Sequence, residues 1–456
     1  MSTETLAALV DGPVLTPEDA GYAEETATWN LAMIGRPIVA VGATSVADVQ
    51  AAIRYATDHD LPIAVTATGH GQARPADGAL LLNLRRLNGI SIDADAATAT
   101  VGAAVELQDL VDAAAKHGLA PLAGSSPNVG VVGYALGGGL SSTLGRTYGW
   151  AADHVRSAEI VTADGLVRRI DAQHEPDLFW AIRGGKGNFG VVTSLTIGLV
   201  PVTRMYAGGI FFDGADARPV LDAFRRLVAD APEALTSSVA FFRFPPLPFV
   251  PEPLRGKLSV HLRFSYLGPE EEGVALLADA RAAGTPIIDA VGEMPYTGFA
   301  AIHADPVDPI PAYEQGALLH DFPAEAAEAL LDVAGPGVDT PVLAFEVRQL
   351  GGALSRRPEV PNAVGNRDAR FSIFLGAAGA PGMEEQLRES LTAPIRAFAP
   401  WATGGRQINF LSGYETEAAD VATAYDADAW DRLTRIKAVY DPRNLFRVNY
   451  NIPPAV

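Results

Sequence analysis

The sequence predicts an α+β protein of two domains, and two observations support this fold class. The chain has 456 residues, of which 48% are apolar and 19% charged, so it can bury large cores and divide into at least two domains. Helix and strand patterns are mixed through the first 200 residues, whereas from about Val202 short alternating strand patterns are interrupted by proline-rich stretches. This change of pattern predicts a domain boundary near residue 200.

The first region contains several predicted helices and strands. Residues 44–48 resemble a helix capping box, and residues 61–65 predict a buried strand. Strands are also predicted at 80–84 and 98–102, and a helix over 105–117. The apolar residues at helical spacing in the two helices are Val46, Val49, Ile53, Ala56, Leu107, Leu110, Val111 and Ala114.

The second region has a different sequence pattern. Proline-rich stretches at 244–251 and 305–311 separate strand-like segments such as 258–264, where apolar and polar residues alternate. Near the end, residues 430–439 predict an amphipathic helix that is closed by the turn 440–444. The region therefore predicts a second domain followed by a helical C-terminal segment.

Charge and composition argue against several classes of function. The chain carries 54 acidic and 34 basic residues, a formal net charge of −20, which repels the phosphates of nucleic acids. No basic stretch precedes an apolar run at the start, and no segment reaches about 18 uninterrupted apolar residues, so we expect a cytoplasmic protein without a membrane partner. Because there is no cysteine, disulfides, thiol nucleophiles and thiolate metal sites are excluded, and we predict no metal site.

Two glycine clusters are the most informative motifs. Residues 124–139 contain six glycines with apolar residues between them, which indicates a backbone that turns tightly and approaches a large ligand closely. The spacing is not G-x-G-x-x-G, so ordinary NAD binding is disfavoured. Taken alone, the run is more typical of an irregular loop. A second cluster at 183–190 leads directly into the predicted strand 191–195 and favours a phosphate-bearing cofactor.

A third motif is the turn at residues 66–71, T-A-T-G-H-G, which follows a predicted buried strand. Its small residues can expose successive N–H groups to a pyrophosphate. A lone histidine is more often structural, but His70 has little apolar packing available in such a turn.

With these motifs, the chain resembles the berberine bridge enzyme-like FAD-linked oxidases of the vanillyl-alcohol oxidase group. The resemblance covers almost the whole chain, and its motifs occur in the family's order at 66–71, 124–139, 145–155, 183–192 and 444–454. It implies a two-domain PCMH-type FAD-binding fold, with an α+β substrate domain built on an antiparallel sheet. The implied division is 1–200 for the FAD-binding domain, 201–404 for the substrate domain and 405–456 for a segment that returns to the FAD domain.

The resemblance also implies the cofactor site. His70 is expected to bond covalently to FAD, and to be the only covalent link, because Ser126 stands where many relatives have a second, cysteinyl link. Tyr134 replaces a histidine that many members place near the flavin, and Val129 matches the proposed oxygen gate. The implied FAD-binding residues are Thr66, Ala67, Thr68, Gly69, His70, Gly71, Gly124, Ser125, Ser126, Val129, Gly130, Gly133, Tyr134, Gly137, Gly138, Gly139, Asp153, Gly187, Asn188, Gly190, Val191, Val192, Asn449 and Asn451.

The catalytic base is less clearly marked. Oxidation of an alcohol needs a group that takes the hydroxyl proton, and many bacterial relatives carry a tyrosine where this chain has Gln407. The remaining candidates, in order of preference, are Tyr450, Tyr148 and Glu346. Glu346 and Arg348 lie two residues apart on one predicted strand, so a purely structural ion pair is the alternative for Glu346.

The implied reaction is oxidation of a C–OH bond, or of a C–N or C–H bond, in a sugar derivative or specialised metabolite. Molecular oxygen would be reduced to H₂O₂, so a small-molecule substrate and O₂ are the expected partners. Two alternatives remain open: an oxidative cyclase or desaturase, and a flavoprotein scaffold that binds a ligand or catalyses a non-redox cyclisation.

Overall fold

A computed structural model of the chain describes residues 2–71, 73–380 and 382–455. In chain order, the strands are β1 (Val14–Leu15), β2 (Val39–Gly42), β3 (Ile63–Thr66), β4 (Leu80–Asn83), β5 (Ile90–Asp93), β6 (Thr98–Gly102), β7 (Val155–Val161), β8 (Val167–Asp171), β9 (Val191–Gly198), β10 (Arg204–Asp213), β11 (Leu235–Arg243), β12 (Leu258–Tyr266), β13 (Pro286–Asp289), β14 (Gly292–Pro295), β15 (Ala312–Leu319), β16 (Ala344–Gln349) and β17 (Phe371–Ala378). The α-helices are α1 (Thr3–Ala7), α2 (Tyr22–Glu25), α3 (Val46–Asp58), α4 (Leu107–Ala115), α5 (Val131–Leu136), α6 (Gly145–Tyr148), α7 (Pro176–Gly185), α8 (Ala217–Ala229), α9 (Glu270–Arg281), α10 (Ala324–Ala334), α11 (Glu384–Arg396), α12 (Ala418–Ala422) and α13 (Ala427–Tyr440). Short 3-10 helices lie at Leu31–Met33, Ala151–His154, Lys186–Asn188, Gly214–Asp216, Glu252–Leu254, Tyr296–Ile302, Gly352–Ser355, Ala399–Trp401 and Ile408–Phe410.

The first 200 residues form two sheets. The smaller has the order β1-β2-β4-β3, with β4 parallel to both β2 and β3. Helix α3 connects β2 to β3, and its buried residues Val49 and Ile53 pack into the same core as Val41 and Leu82 of the sheet. The second sheet is antiparallel in the order β5-β6-β9-β7-β8.

The middle of the chain forms one antiparallel sheet of eight strands, in the order β13-β10-β12-β11-β16-β17-β15 with β14 beside β10. Helices α8, α9, α10 and α11 contribute apolar side chains to the core on one of its faces. Along β12 the residues alternate as the pleat requires: Val260 and Leu262 pack in that core, while Arg263 lines a cleft. The α+β fold class and the antiparallel sheet are therefore as predicted.

The C-terminal segment returns to the first region of the chain. Nζ of Lys437 on α13 donates to Oδ2 of Asp441 at 2.7 Å and to the carbonyl oxygen of Asn188 at 2.6 Å. Burial lowers the pKa of Lys437 to about 8, although Asp441 opposes that shift. The backbone N–H of Ile63 at the start of β3 also donates to the carbonyl of Leu445 at 2.8 Å, so the last residues lie beside the strand that leads into the His70 turn.

Several predicted elements occur close to their expected bounds. Strand β6 matches the predicted 98–102, and α4 lies within the predicted 105–117. Ser45 caps α3 by accepting from the N–H of Asp48 at 3.2 Å, as the capping-box pattern indicates. Within the described ranges, no helix has both the length and the apolarity needed to cross a bilayer.

Candidate active site

A cleft of about 1260 Å³ is lined by residues from all three regions of the chain. We call its first part the loop wall, which consists of lining residues within 66–71, 124–136, 186–192 and 446–450. We call its second part the strand wall, which consists of lining residues on β11, β12, β15, β16 and β17. The predicted cofactor motifs and the candidate base Glu346 therefore meet at one cleft.

The turn with His70 follows β3 and is fixed by close packing. Gly69 has φ +81°, and a Cβ there would lie 2.4 Å from Oγ1 of Thr28, so the turn requires glycine for both conformation and space. The hydroxyl of Thr28 donates to the Gly69 carbonyl at 2.9 Å. The His70 ring stacks on Trp29 with centroids 4.2 Å apart. The turn thus presents a firmly held imidazole at the cleft.

His70 is suited to act as a nucleophile. Desolvation lowers its pKa to about 4, against weaker opposing effects of Asn128 and Asp305, so the imidazole is neutral at physiological pH. Its Nε2 is buried and has no hydrogen-bond partner among the described residues. A buried polar atom without a partner is costly, and a ligand that engages it removes that cost.

The first glycine run divides into two parts with different roles. Its residues that line the cleft include Gly124, Ser125, Ser126, Val129, Gly130, Gly133 and Tyr134. Gly137, Gly138 and Gly139 do not line it. A Cβ would lie 1.9 Å from Oδ1 of Asn409 at Gly137 and 2.6 Å from Cβ of Ala151 at Gly139, so packing of neighbouring segments explains these glycines.

The hydroxyl of Tyr134 is buried without a hydrogen-bond partner in the described part of the chain. Burial raises its pKa well above the usual value, so the phenol stays neutral and can only donate or accept a hydrogen bond. Ser126, in the position of the second covalent link of many relatives, donates from Oγ to Oδ1 of Asn128 at 2.9 Å.

The second glycine cluster and the C-terminal segment complete the loop wall. Gly187, Gly190, Val191, Val192 and Asn449 line the cleft, as do Thr66, Ala67, Thr68 and Gly71 of the first turn. Oδ1 of Asn449 is buried without a partner within the described ranges. Unpartnered polar atoms on His70, Tyr134 and Asn449 at one cleft fit a large ligand that has both donors and acceptors, such as FAD.

Besides Gly137, Gly138 and Gly139, three more predicted cofactor residues lie outside the lining: Asp153, Asn188 and Asn451. Asp153 accepts from the N–H of Trp150 at 3.0 Å and forms an ion pair with Arg367 at 2.6 Å, so it caps a 3-10 helix. Asn188 joins the second glycine cluster to the C-terminus, because its Oδ1 accepts from the N–H of Ile452 at 2.9 Å. Oδ1 of Asn451 is buried without a partner among the residues the structure describes.

The strand wall is dominated by charges around Glu346. Its carboxylate lies 2.6 Å from Nη1 of Arg263 and 2.8 Å from Nη2 of Arg348. It also accepts from Oγ of Ser238 at 2.7 Å. Burial alone would raise the pKa of Glu346, but the two guanidinium groups outweigh it and hold the pKa well below the usual range. The structure therefore contains the ion pair of Glu346 with Arg348, and the role of Glu346 as the base stays a prediction.

The two tyrosine candidates for the base are placed differently. Tyr450 lines the cleft, and its buried hydroxyl donates to the carbonyl of Leu411; burial raises its pKa, with a further contribution from Glu314. Tyr148, on α6, does not line the cleft. Gln407 does not line it either, although Asn409, two residues later, does.

Lys186, Glu314 and Asn409 are among the lining residues that sequence reasoning missed. Lys186 could have been found, because it is the one charged residue between glycines in the second cluster. Glu314 stands in a segment without a motif, and only strand pairing brings it to the cleft.

Comparisons with known proteins agree with this geometry. A model of FAD binding domains matches residues 37–171, and a model described as berberine and berberine like matches residues 408–453. The chain is 32% identical to (R)-6-hydroxynicotine oxidase of Paenarthrobacter nicotinovorans, over 98% of this chain and 97% of that one. It belongs to the berberine bridge enzyme-like FAD-linked oxidoreductases. An uncharacterised FAD-linked oxidoreductase of Bacillus subtilis is 26% identical over 97% of this chain and 98% of its own length.

Solved structures match the chain over almost its full length. The 6-hydroxy-D-nicotine oxidase of Arthrobacter nicotinovorans has a TM-score of 0.82 and 29% identity, with 98% of each chain covered. Xylooligosaccharide oxidase from Myceliophthora thermophila has a TM-score of 0.85 at 20% identity, with 100% of each chain covered, which shows a shared fold. The protein is therefore an FAD-linked oxidoreductase with the two-domain PCMH-type fold.

Proposed function

We propose that this protein is an oxidase that carries FAD covalently on His70 and oxidises a C–OH or C–N bond of a small molecule. FAD, when bound, supplies the hydride acceptor and passes the electrons to O₂, which yields H₂O₂. The observation that carries the proposal is Nε2 of His70, a buried nitrogen on a neutral imidazole that has no partner in the described part of the chain.

The proposed roles follow the two walls of the cleft. The loop wall holds the cofactor through backbone groups of its small residues and through the side chains of Tyr134 and Asn449. We further propose that residues 1–200 and 405–456 form the FAD-binding unit and that residues 201–404 form the unit that covers the substrate. The lining residues from the C-terminal segment, Asn449 and Tyr450, support this division.

The lining of the cleft also suggests a class of substrate. Phe242 and Phe244 line it with their rings stacked 5.4 Å apart, and Phe249, also a lining residue, is 79% exposed. Aromatic rings of this kind bind flat apolar groups or the apolar face of a sugar ring. We therefore propose a substrate that joins an aromatic or ring-shaped apolar portion to the oxidised C–OH or C–N group.

A substrate panel with a coupled peroxide assay tests the proposal. The panel contains (R)-6-hydroxynicotine and xylobiose, the compounds named with two similar proteins, together with aromatic alcohols and cyclic secondary amines. We expect at least one class to bleach the flavin anaerobically and to produce one H₂O₂ per substrate oxidised in air. Bleaching without peroxide would indicate a dehydrogenase, and no bleaching by any compound would contradict the proposal.

A further inference from the structure

The carboxylate of Glu314 on β15 has no partner among the residues that the structure describes, and it lies at the cleft. Glu314 lines the cleft, and its neighbour Tyr313 borders the cleft as well but is buried in the helix-covered core. Its cross-strand partner on β17 is Gly376, which has no side chain beside it. Within the described ranges, the Glu314 carboxylate makes no hydrogen bond or ion pair, in contrast to the fully paired Glu346.

A lysine lies on the loop wall of the same cleft in a strained conformation. Lys186 has φ +54° and ψ −147°, a region that is unfavourable for residues with a side chain. It stands between Gly185 and Gly187, where a third glycine would remove the strain. Backbone strain of this kind clusters at functional sites, which supports a role for the Lys186 side chain.

The Lys186 ammonium group is held by a chain of contacts. Its Nζ donates to Oδ1 of Asn409 at 2.8 Å, and Nδ2 of Asn409 donates to the Tyr134 carbonyl at 2.9 Å. The missing Cβ of Gly137 leaves the space that the Asn409 amide occupies. Nζ also lies 5.7 Å from the centre of the Tyr450 ring. Asn409 and Gly137 thus position a cation at the cleft.

Three ionisable groups on neighbouring elements interact electrostatically with Glu314: Lys186, Arg348 and Tyr450. Arg348 is already engaged, because it pairs with Glu346 at 2.8 Å and its guanidinium lies 4.8 Å from the ring centres of both Phe374 and Phe410. Lys186 attracts Glu314 electrostatically without forming an ion pair with it in the described structure. The Glu314 carboxylate therefore remains available to a substrate.

We propose that Glu314 is the catalytic base of this oxidase and that Lys186 is a positioning residue that holds Glu314 ionised. The inference rests on the proposed function and deepens it, because it names the group that takes the substrate's proton.

In the proposed reaction the substrate loses one proton and one hydride. The substrate's O–H or N–H proton moves to a carboxylate oxygen of Glu314, and the electron pair of that bond forms the new C=O or C=N bond. FAD, when bound, would accept the hydrogen and electron pair of the adjacent C–H bond as hydride. Glu314 then returns its proton to solvent.

The acid–base properties of the two groups support these roles. Desolvation raises the pKa of Glu314 to about 7, against the opposing attraction of Arg348 and Lys186. Desolvation lowers the pKa of Lys186 to about 8, and Glu314 partly compensates. A base is most effective when its pKa lies near the working pH, and Glu346 and Tyr450 are both shifted away from that range.

The first test needs no substrate and uses an infrared pH titration of the FAD-loaded protein. We expect the C=O stretch of a protonated carboxylic acid that disappears as the pH rises through about 7. This band should be absent in Glu314→Gln and should persist to higher pH in Lys186→Met, because loss of the cation raises the pKa of Glu314. Glu271→Gln, an exposed carboxylate on α9, is the matched control and should keep the band. Persistence of the band in Glu314→Gln would overturn the proposal.

The second test measures anaerobic flavin reduction with the panel compound that reduces the parent fastest. We expect Glu314→Gln to be slower by about 10²–10⁴-fold at pH 8, with unchanged FAD content and partial recovery in Glu314→Asp. Lys186→Met should move the acidic limb of the rate profile to higher pH, whereas Lys186→Arg and the exposed control Lys116→Met should leave it near 7. A parental rate in Glu314→Gln would overturn the assignment.

The two tests separate this inference from the proposed function. If no panel compound reduces the parent, the proposed function fails, while the infrared band still reports whether Glu314 titrates in the cleft. If a compound reduces both the parent and Glu314→Gln equally, the oxidase proposal stands and the base is another group.

Discussion

The two walls of the cleft are built by different means. Lining residues of the loop wall are mostly small and uncharged, with Lys186 as an exception. The wall offers backbone groups and polar atoms, such as Nε2 of His70, that have no partner among the described residues. The strand wall presents charged side chains from separate strands, among them Arg263, Glu346 and Glu314. A backbone that approaches closely suits a cofactor, because the shape of a cofactor is constant. Side chains on a rigid sheet can differ with the substrate and leave the cofactor site unchanged.

The largest effect that we expect on the strand wall comes from Glu346→Gln. This change leaves the buried guanidinium groups of Arg263 and Arg348 without their shared carboxylate, and breaking a buried pair costs about 3–5 kcal/mol. We expect a drop of that size in the free energy of unfolding, measured by denaturant titration of the holoprotein. A loss below about 1 kcal/mol would mean that the charge cluster is not a structural part of the strand wall.

A second prediction concerns pH and stability at Glu314. Its folded-state pKa of about 7 lies above the ordinary 4.5, so the folded protein binds this proton more tightly and loses stability as the pH rises from about 4.5 through 7. Glu314→Gln should therefore stabilise the protein at pH 8 by roughly 1–3 kcal/mol, after allowance for partial exposure, and should do little at pH 4.5. Denaturant titrations of both proteins at the two pH values check this. Equal stabilisation at both pH values would contradict an elevated pKa.

Tyr450 allows the two candidate bases to be separated. The role of Tyr450 as the base stays a prediction. In the structure its hydroxyl donates a hydrogen bond to the Leu411 carbonyl. If Glu314 is the base, Tyr450→Phe should cost about 1–2 kcal/mol of stability through the lost buried hydrogen bond, with flavin reduction slowed less than about tenfold. A loss of about 10²–10⁴-fold would assign the base to Tyr450 instead.

The smallest effect is expected at Val129 on the loop wall. Replacement by leucine adds bulk to a lining residue, and a modest steric barrier of about 1 kcal/mol corresponds to roughly a fivefold slower reaction. We expect flavin reoxidation by O₂ to slow by about that factor, while reduction by substrate is unchanged. Stopped-flow traces of the two half-reactions measure both rates, and equal reoxidation rates would remove Val129 as an oxygen gate.

Much of the loop wall was predictable from sequence because its constraints are local. The turn at 66–71 is specified by a strand pattern followed by small residues, and the 124–134 part of the first glycine run lines the cleft as expected. The sequence did not reveal that the last glycines of this run serve packing. Gly137 packs against Asn409 and Gly139 against Ala151, and Asn409 is far from the run in sequence.

The strand wall was much harder to predict, because its constraints are not local in sequence. Glu314 and Glu346 lie on different strands, β15 and β16, and meet the same cleft only because β17 pairs with both. A single sequence specifies alternation along a strand but not the order of strands in the sheet. The ion pair of Glu346 with Arg348 could be proposed from their two-residue spacing, whereas the contribution of Arg263 could not.

The central claim is that the cleft holds FAD through one covalent bond at His70, and peptide mass spectrometry of the denatured holoprotein tests it most directly. We expect the yellow chromophore to remain with the acid-denatured chain and a proteolytic peptide that contains residue 70 to carry the mass of FAD. His70→Ala should release the chromophore. Flavin that separates freely from the denatured parent, or a flavin peptide attached at a second residue, would contradict the claim.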